Sequence, residues 1–309
     1  MRIVVVGTGG VGGFFGAKLA RAGQDVTFLA RGAHLSAIRE NGLRVKSAVE
    51  GDWSAKVRAV DTLEGEPEAD IVLVCVKSFD TETAAGAIRP IVGPRTGILS
   101  LQNGVDNEEK LESSFPHGRV LGGVCYVFSN IESPGVIAHH QLGRIVFGER
   151  DGRESPLSSA FKEALTQAGI GAEISPAIRR TLWEKYVVLV ALAGTTSVTR
   201  LPVRFIRDIP EVRDLWQQQV EELLRLAERE AVGLQADMLE RSIAFLEGLA
   251  PGNYSSLYQD LAQGRRLELD AFHGYATRLG QRHGVPTPAL SCVYAALKPY
   301  ELGAPNLQA

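Results

Sequence analysis

At 309 residues the chain can bury a sizeable core and is long enough for two domains of ordinary size. Its 45% hydrophobic and 22% charged residues are those of a soluble globular protein, which excludes a largely disordered chain. The 33 basic and 36 acidic residues give a formal charge of −3 with no like-charge block, so neither a nucleic-acid arm nor an acidic tail is expected. Three cysteines, Cys75, Cys125 and Cys292, lie far apart without CxxC or Cys/His spacing, and Cys75 reads as a buried reduced thiol inside the apolar run Ile71–Val76. Met1-Arg2-Ile3 enters a strand at once, leaving no room for a signal peptide, and no apolar stretch is long enough to span a bilayer. A reduced, cytoplasmic setting without nucleic-acid or membrane partners is the expectation.

The first half alternates short apolar runs with amphipathic stretches, the pattern of a mostly parallel α/β sheet. Ile3–Val6 is a β-branched run ended by glycine, and Val11–Ala22 has helical spacing with Val11, Phe14, Phe15, Leu19 and Ala22 on one face. Val26–Leu29 reads as the second strand. Leu43–Lys46 and Lys56–Ala59, separated by the polar Glu50-Gly51-Asp52, are expected as an inserted hairpin. Ile71–Val76 is apolar throughout, as a central parallel strand is. A helix over Thr81–Ile91, ended by Pro94, and a strand at Ile98–Leu101 follow. Val120–Val127, Gly135–His139 and Arg144–Phe147 read as later strands with mixed pairing, Pro156–Ala168 as a helix and Gly171–Ile174 as an edge strand.

From about Ser175 the pattern becomes helical: Ile178–Ala193, Val212–Ala231, Asp237–Leu249 and Arg265–His283. Val212, Leu215, Trp216, Val220, Leu223, Leu224, Ala227 and Ala231 keep helical spacing, with Trp216 in a core or dimer face. The expectation is an α/β domain over residues 1–175 and an all-α domain over 176–309, whose apolar helix faces suit a homodimer.

Gly7-Thr8-Gly9-Gly10-Val11-Gly12 is a GxGxxG run between a strand and a helix, the setting in which this motif binds a dinucleotide in a Rossmann unit. Gly7 permits the tight turn, Gly9 lets the backbone approach a pyrophosphate, and Gly12 lets the helix pack close to the strand. The helix N-terminus adds N–H groups and a positive dipole end. An NAD site would place an acid at the end of the second strand to hold the ribose 2′-OH. Phe28-Leu29-Ala30 has none, and Arg31 follows, whose planar charged fork suits a 2′-phosphate. NADPH is therefore expected over NADH.

Lys77 and Gln102-Asn103-Gly104 stand just past the carboxyl ends of two strands, where α/β sheets bind ligands. Singly, each reads equally well as a solvated lysine and an ordinary Asn-Gly turn. The histidines have no acidic partners at ligand spacing: His139-His140 lie in a strand region and His34 reads as an exposed helix residue, so no metal is expected.

These blocks together are similar to a known family. The glycine loop, Val76-Lys77-Ser78-Phe79-Asp80, Leu101-Gln102-Asn103-Gly104, Trp183-Glu184-Lys185, Ser255-Ser256-Leu257-Tyr258-Gln259-Asp260 and Glu268-Leu269-Asp270 resemble ketopantoate reductases (2-dehydropantoate 2-reductases), in order and over nearly the whole chain. The resemblance implies an N-terminal Rossmann domain, a C-terminal helical domain and catalysis in the cleft between them. It assigns Lys185 as the catalytic lysine, Glu268 as its partner carboxylate, Asn103 beside nicotinamide and substrate, Lys77 at the cofactor side, and Ser256 on the substrate.

Hydride delivery to a ketone builds negative charge on oxygen, so a cation or proton donor must stand beside it. Lys185 opens the apolar run Tyr186–Ala193, which is expected to desolvate its ammonium partly and lower its pKa, while Glu268 orients it. On pattern alone Lys185 reads as a lysine snorkelling at a helix start and Glu268 as an exposed helix charge; the resemblance assigns both to catalysis.

The match breaks in one place. Many ketopantoate reductases carry asparagines four and eight residues after the catalytic lysine, where they hydrogen-bond the hydroxylated substrate. Here Leu189 and Ala193 hold those positions on the same helical face. Thr195, Thr196 and Ser197 follow, with Thr196 as a replacement substrate hydroxyl or all three as ordinary helix-end residues. The expected activity is NADPH-dependent reduction of 2-dehydropantoate to (R)-pantoate. The alternatives are reduction of a bulkier, more apolar 2-oxo acid, and a nicotinamide sensor without turnover, which would need neither Lys185 nor Glu268.

Overall fold

A computed structural model describes residues 1–305. The first unit, Met1–Thr181, contains β1 (Arg2–Val6), α1 (Gly10–Arg21), β2 (Asp25–Leu29), α2 (Gly32–Asn41), β3 (Leu43–Ser47), β4 (Trp53–Ala55), β5 (Arg58–Val60), β6 (Ile71–Val74), α3 (Thr81–Ile88), β7 (Gly97–Ser100), α4 (Asn107–Glu112), β8 (Val120–Ser133), β9 (Val136–Glu149), α5 (Pro156–Gln167) and β10 (Gly171–Ile174). They form one sheet in the order β4-β3-β9-β8-β7-β6-β1-β2-β5, with β10 beside β9.

β2, β1, β6 and β7 run parallel and side by side, with Val5 opposite Phe28 and Leu73, and Leu73 opposite Leu99. Their side chains serve two cores. Ile3 and Val5 join Phe14, Phe15, Phe28, Phe147 and Phe161 on one face, while Val4 and Val6 join Val72, Ile88, Ile98 and Leu111 on the other. A strand buried on both faces has no polar alternation, which is why these runs are apolar throughout. This is the expected Rossmann-type domain with a mostly parallel sheet.

Two expectations in this unit are corrected. Leu43–Ser47 does form a hairpin, but with Trp53–Ala55; Arg58–Val60 instead pairs parallel with β2 at the sheet edge. The two runs expected as separate strands at Gly135–His139 and Arg144–Phe147 are one strand, β9, antiparallel to β8. It carries an irregularity where Leu142 (φ 64°) and Gly143 (φ 147°) leave extended geometry, and register shifts interrupt the pairing there.

The second unit starts at Leu182, within the helix α6 (Ile178–Thr199), against an expected boundary near residue 175. It continues with α7 (Val203–Asp208), α8 (Pro210–Arg229), α9 (Met238–Gly248), α10 (Ser256–Ala262), α11 (Tyr275–His283) and α12 (Pro288–Leu297). Trp216, Val220, Leu223, Leu226 and Ala227 bury the inner face of α8, so Trp216 is a core residue. Glu222 lies on that same buried face, and its carboxylate accepts the Ala289 and Leu290 N–H groups at 2.8 and 2.9 Å. It thereby satisfies the otherwise orphaned donors at the start of α12.

The helix expected over Arg265–His283 begins only at Leu269. Before it the backbone bonds elsewhere, Arg265 N–H to Asp260 O and Leu267 N–H to Glu301 O. Asp270–Gly274 is a π-helical turn that runs into α11. Among the described residues no helix is long and apolar enough to cross a membrane.

Candidate active site

In the first unit the carboxyl ends of β1, β2, β6 and β7 share one edge of the sheet. The chain leaves β1 toward β2 on one side and returns with β6 on the other, the switch point at which open α/β sheets bind ligands. Gly7 follows β1 with φ +97°, and a Cβ there would lie 2.6 Å from the Val76 nitrogen. A Cβ on Gly12 would collide with the Gly7 carbonyl and stand 2.9 Å from Val5 Cγ1, and one on Gly10 would collide with the Ser129 backbone. Around Gly9 there is nothing within 4 Å. Three glycines are thus required by packing, and the fourth faces open space from which a ligand can reach the backbone.

Gly9 is the N-cap of α1, which has no side-chain cap and no acid in its first turn. Its N–H groups and dipole therefore point at the side left open. Thr8 is buried and ties the loop to β2, its hydroxyl donating to Leu29 O at 3.1 Å. Val11 is half-buried in the first turn. Arg31 caps α2 at the end of β2 with its side chain 94% exposed, and Asp80 Oδ2 is 4.0 Å from its guanidinium.

Lys77 is half-buried just past β6, at the start of a short 3-10 turn over Ser78–Asp80. Asn103 is half-buried just past β7, beside Gly104 at φ +112°. A buried network missed in the sequence joins these loops. Gln102 Nε2 donates to Thr81 Oγ1 at 2.8 Å, Thr81 Oγ1 lies 2.8 Å from Ser78 O and 3.1 Å from Asn107 Oδ1, and Asn107 Nδ2 donates to Asn103 O at 2.8 Å. Their polar side chains look like ordinary turn residues in sequence; only their convergence shows the role.

His34 is half-buried instead of exposed: its Nδ1 accepts the Gly135 N–H at 3.0 Å. An N–H can only donate, so the proton sits on Nε2, and burial lowers the imidazole pKa. His139 is buried in β9 between the Ser47 hydroxyl (2.8 Å) and Leu142 O (2.7 Å) and stacks on Phe14. The three cysteines are free, and Cys75 is half-buried under Gly12 instead of enclosed.

In the second unit Lys185 is half-buried on α6. The next residue, Tyr186, is enclosed and donates its hydroxyl to Phe272 O at 2.5 Å. Its ring packs edge-on against Trp183 and Tyr275. Glu184 on the other side of Lys185 pairs with Arg241 at 3.2 Å. Glu268 is 4% exposed and directly precedes the helical segment, its carbonyl accepting the Phe272 N–H at 3.2 Å. It is a buried carboxylate, not the exposed helix charge that its pattern suggested. Lys185 and Glu268 thus stand on elements that Tyr186 fastens together.

Leu189 is half-buried and Ala193 fully buried along the Lys185 face. Thr196, expected as a replacement substrate hydroxyl, is 0% exposed: its hydroxyl is 2.8 Å from both Leu192 O and Ser255 Oγ. Ser255 caps α10 by accepting the Tyr258 N–H, so Thr196 holds the start of the helix on which Ser256 is exposed. The other side of α6 carries a buried chain from Thr195 through Gln219 (3.0 Å) to His273 Nε2 (3.1 Å), with no room for a side chain at Gly194. Burial depresses the His273 pKa to about 3.

Family comparison agrees with both halves. The model described as "Ketopantoate reductase PanE/ApbA" matches residues 3–152, and that for the C-terminal part of the same family matches residues 177–301. The chain belongs to the ketopantoate reductase family. The 2-dehydropantoate 2-reductase of Halobacterium salinarum is 31% identical to it, over 94% of this chain and 95% of that one. The uncharacterized oxidoreductase YkpB of Bacillus subtilis is 30% identical over 97% and 99%. The crystal structure of a PanE/ApbA family ketopantoate reductase from Ralstonia eutropha has a TM-score of 0.90 at 33% identity, covering 97% of this chain and 98% of that one. As a member of this oxidoreductase family the chain has the Rossmann-plus-helical architecture of its relatives, and the blocks around the glycine loop and Lys185 fall inside the matched spans.

Proposed function

We propose that this ketopantoate reductase family member reduces 2-dehydropantoate to (R)-pantoate with NADPH, the pantothenate-forming step. The observation that carries the reading is the shared carboxyl edge of β1, β2, β6 and β7, where open space at Gly9, the uncapped start of α1 and the exposed Arg31 stand together. This set fits a dinucleotide with a 2′-phosphate: backbone N–H groups of Gly9, Gly10 and Val11 for the pyrophosphate, Arg31 for the extra phosphate, Lys77 and Asn103 toward the nicotinamide. Gly7, Thr8 and Gly12 shape the loop. The acceptor is taken from the relatives that bear the name 2-dehydropantoate 2-reductase.

When bound, the cofactor supplies the hydride. Lys185 stands to the developing alkoxide as cation and proton donor, giving one proton to the oxygen as the carbonyl carbon gains the hydride. Glu268, 4% exposed, orients that ammonium, and Ser256 hydrogen-bonds the substrate while Asn103 aligns it. Thr196 acts on the substrate through Ser255, holding Ser256 at the start of α10.

A second reading keeps this chemistry and changes the acceptor to a more apolar 2-oxo acid. It is favoured by Leu189 and Ala193, which give the Lys185 face no donors for a substrate hydroxyl; each such donor is worth about 1–3 kcal/mol. NADPH oxidation followed against a panel of 2-oxo acids that includes 2-dehydropantoate decides between the two. Turnover with 2-dehydropantoate supports the first, turnover only with apolar 2-oxo acids the second, and tight NADPH binding with no turnover overturns both in favour of a sensor.

A further inference from the structure

His273 has no part in the chemistry above, yet it is fully buried inside the π-helical turn that follows Glu268. Its Nε2 lies 3.1 Å from Gln219 Oε1 on α8. The Gln219 amide is oriented by its other end, where Nε2 donates to Thr195 Oγ1 at 3.0 Å and to Leu215 O at 3.2 Å. Thr195 donates its hydroxyl to Ala191 O at 2.8 Å, which leaves Gln219 Oε1 to accept from His273. Burial keeps the ring neutral, so His273 is the Nε2–H tautomer, and its Nδ1 has no hydrogen-bond partner among the described residues. An apolar side chain would fill this space without stranding an acceptor, so packing alone does not account for an imidazole here.

α6 makes room for this bond. Gly194 lies inside that helix, where glycine is a poor helix former, and a Cβ there would collide with His273 Nε2 and stand 2.5 Å from Gln219 Oε1. The same turn is fastened one residue earlier by the Tyr186 hydroxyl on Phe272 O, and the Phe272 N–H donates to Glu268 O at 3.2 Å. Tyr186 and Gly194 are about 12 Å apart along the axis of α6. A segment held at one point can pivot; held at two separated points it cannot.

We propose that His273 is a positioning residue for Glu268, its bond to Gln219 fixing, together with Tyr186, the rotation of the π turn and so the direction of the Glu268 side chain. A π turn carries one residue more than an α turn. If it relaxed to α geometry, the residues before it would rotate by about 100° relative to those after it. Without the His273–Gln219 bond, the Tyr186 hydroxyl alone resists that change. This inference rests on the reading of Glu268 as the partner of Lys185 given above.

The test is NADPH oxidation by the full chain with 2-dehydropantoate, or with phenylpyruvate where the panel above selects an apolar acceptor. His273→Leu should lower kcat about ten- to a hundredfold, as misaligned groups do, and leave NADPH affinity unchanged. His273→Gln, whose amide can donate to Gln219, should stay within about threefold of wild type. In a Glu268→Gln background His273→Leu should cost less than about twofold more, because it acts through Glu268. Gly194→Ala carries the test if His273→Leu does not fold. Alanine favours the helix, so its loss of kcat would come from the displaced His273–Gln219 bond. Wild-type kcat in His273→Leu, no rescue by His273→Gln, or losses that multiply in the double variant overturn the inference alone. Wild-type kcat in Glu268→Gln, or no turnover by wild type with either acceptor, overturns the catalytic reading and this inference with it.

Discussion

The Tyr186 hydroxyl donates to the Phe272 carbonyl at 2.5 Å, and this bond joins α6 to the π-helical turn that follows Glu268. In the π turn the Tyr275 N–H reaches back to Asp270 O, five residues before it, and is shared with Phe272 O, which accepts the Tyr186 hydroxyl as a second donor. Lys185 and Glu268 each lie within a few residues of an end of this bond. The two proposed catalytic groups are therefore set by a contact that neither makes itself.

Lys185→Ala should lower turnover of a 2-oxo acid by about 10²–10⁴, the range for a general acid, with NADPH affinity unchanged. Tyr186→Phe should cost about 0.5–1.5 kcal/mol of stability, the net worth of one hydrogen bond, because Phe272 O keeps the Tyr275 N–H but loses the hydroxyl, and should lower kcat more than it changes cofactor affinity. Steady-state kinetics with NADPH titration and thermal melts read both. Near-normal turnover in Lys185→Ala refutes its assignment.

Arg31→Ala should leave stability unaffected, since the side chain is 94% exposed and its ion pair with Asp80 is 4.0 Å long. Its effect should appear in cofactor choice: loss of charge-assisted bonds to a 2′-phosphate weakens NADPH by roughly ten- to a hundredfold and leaves NADH alone. The ratio of kcat/KM for the two cofactors measures this, and an unchanged ratio removes Arg31 from the site.

Gly9→Ala and Gly12→Ala separate ligand approach from folding. A methyl at Gly12 meets the Gly7 carbonyl and Val5, so that variant should lose about 1–3 kcal/mol of stability. At Gly9 nothing within 4 Å resists a methyl, and the backbone there is at an ordinary φ of −84°. Gly9→Ala should melt like wild type and bind NADPH roughly tenfold more weakly, as a lost hydrogen bond would. Wild-type affinity in that variant would show that the open space is not the ligand side.

His273 sets an acid limit on the helical unit. Its folded pKa of about 3 lies below the ordinary 6.5, so the unfolded chain binds the proton first. The stability it contributes is complete above pH 6.5 and is lost as the pH falls from there toward 3, at up to about 1.4 kcal/mol per unit. Denaturant melts between pH 4 and 7 should show a shallower loss in His273→Gln than in wild type. Parallel curves would mean that other groups govern acid unfolding.

Much of this was written along the chain. The apolar runs of β1, β6 and β7, the glycine loop and the helical spacing of α8 follow from periodicity and from what a turn or a buried strand permits, all local properties. Arg31 could be singled out because its place relative to β2 is also local. The family blocks imply roles for Lys185, Glu268, Asn103 and Ser256 that periodicity alone does not. Tertiary structure decided what depends on partners distant in the chain. It withdrew Arg58–Val60 from the hairpin to the edge of β2, merged two runs into β9, and stopped the helix short of Glu268, because backbone groups found partners that sequence spacing does not reveal. It also enclosed Thr196 against Ser255 and buried the Glu108 side chain in the first turn of α4. Burial is a property of the whole packing, so whether a carboxylate or hydroxyl is solvated, satisfied or stranded can be known only once the fold has closed around it.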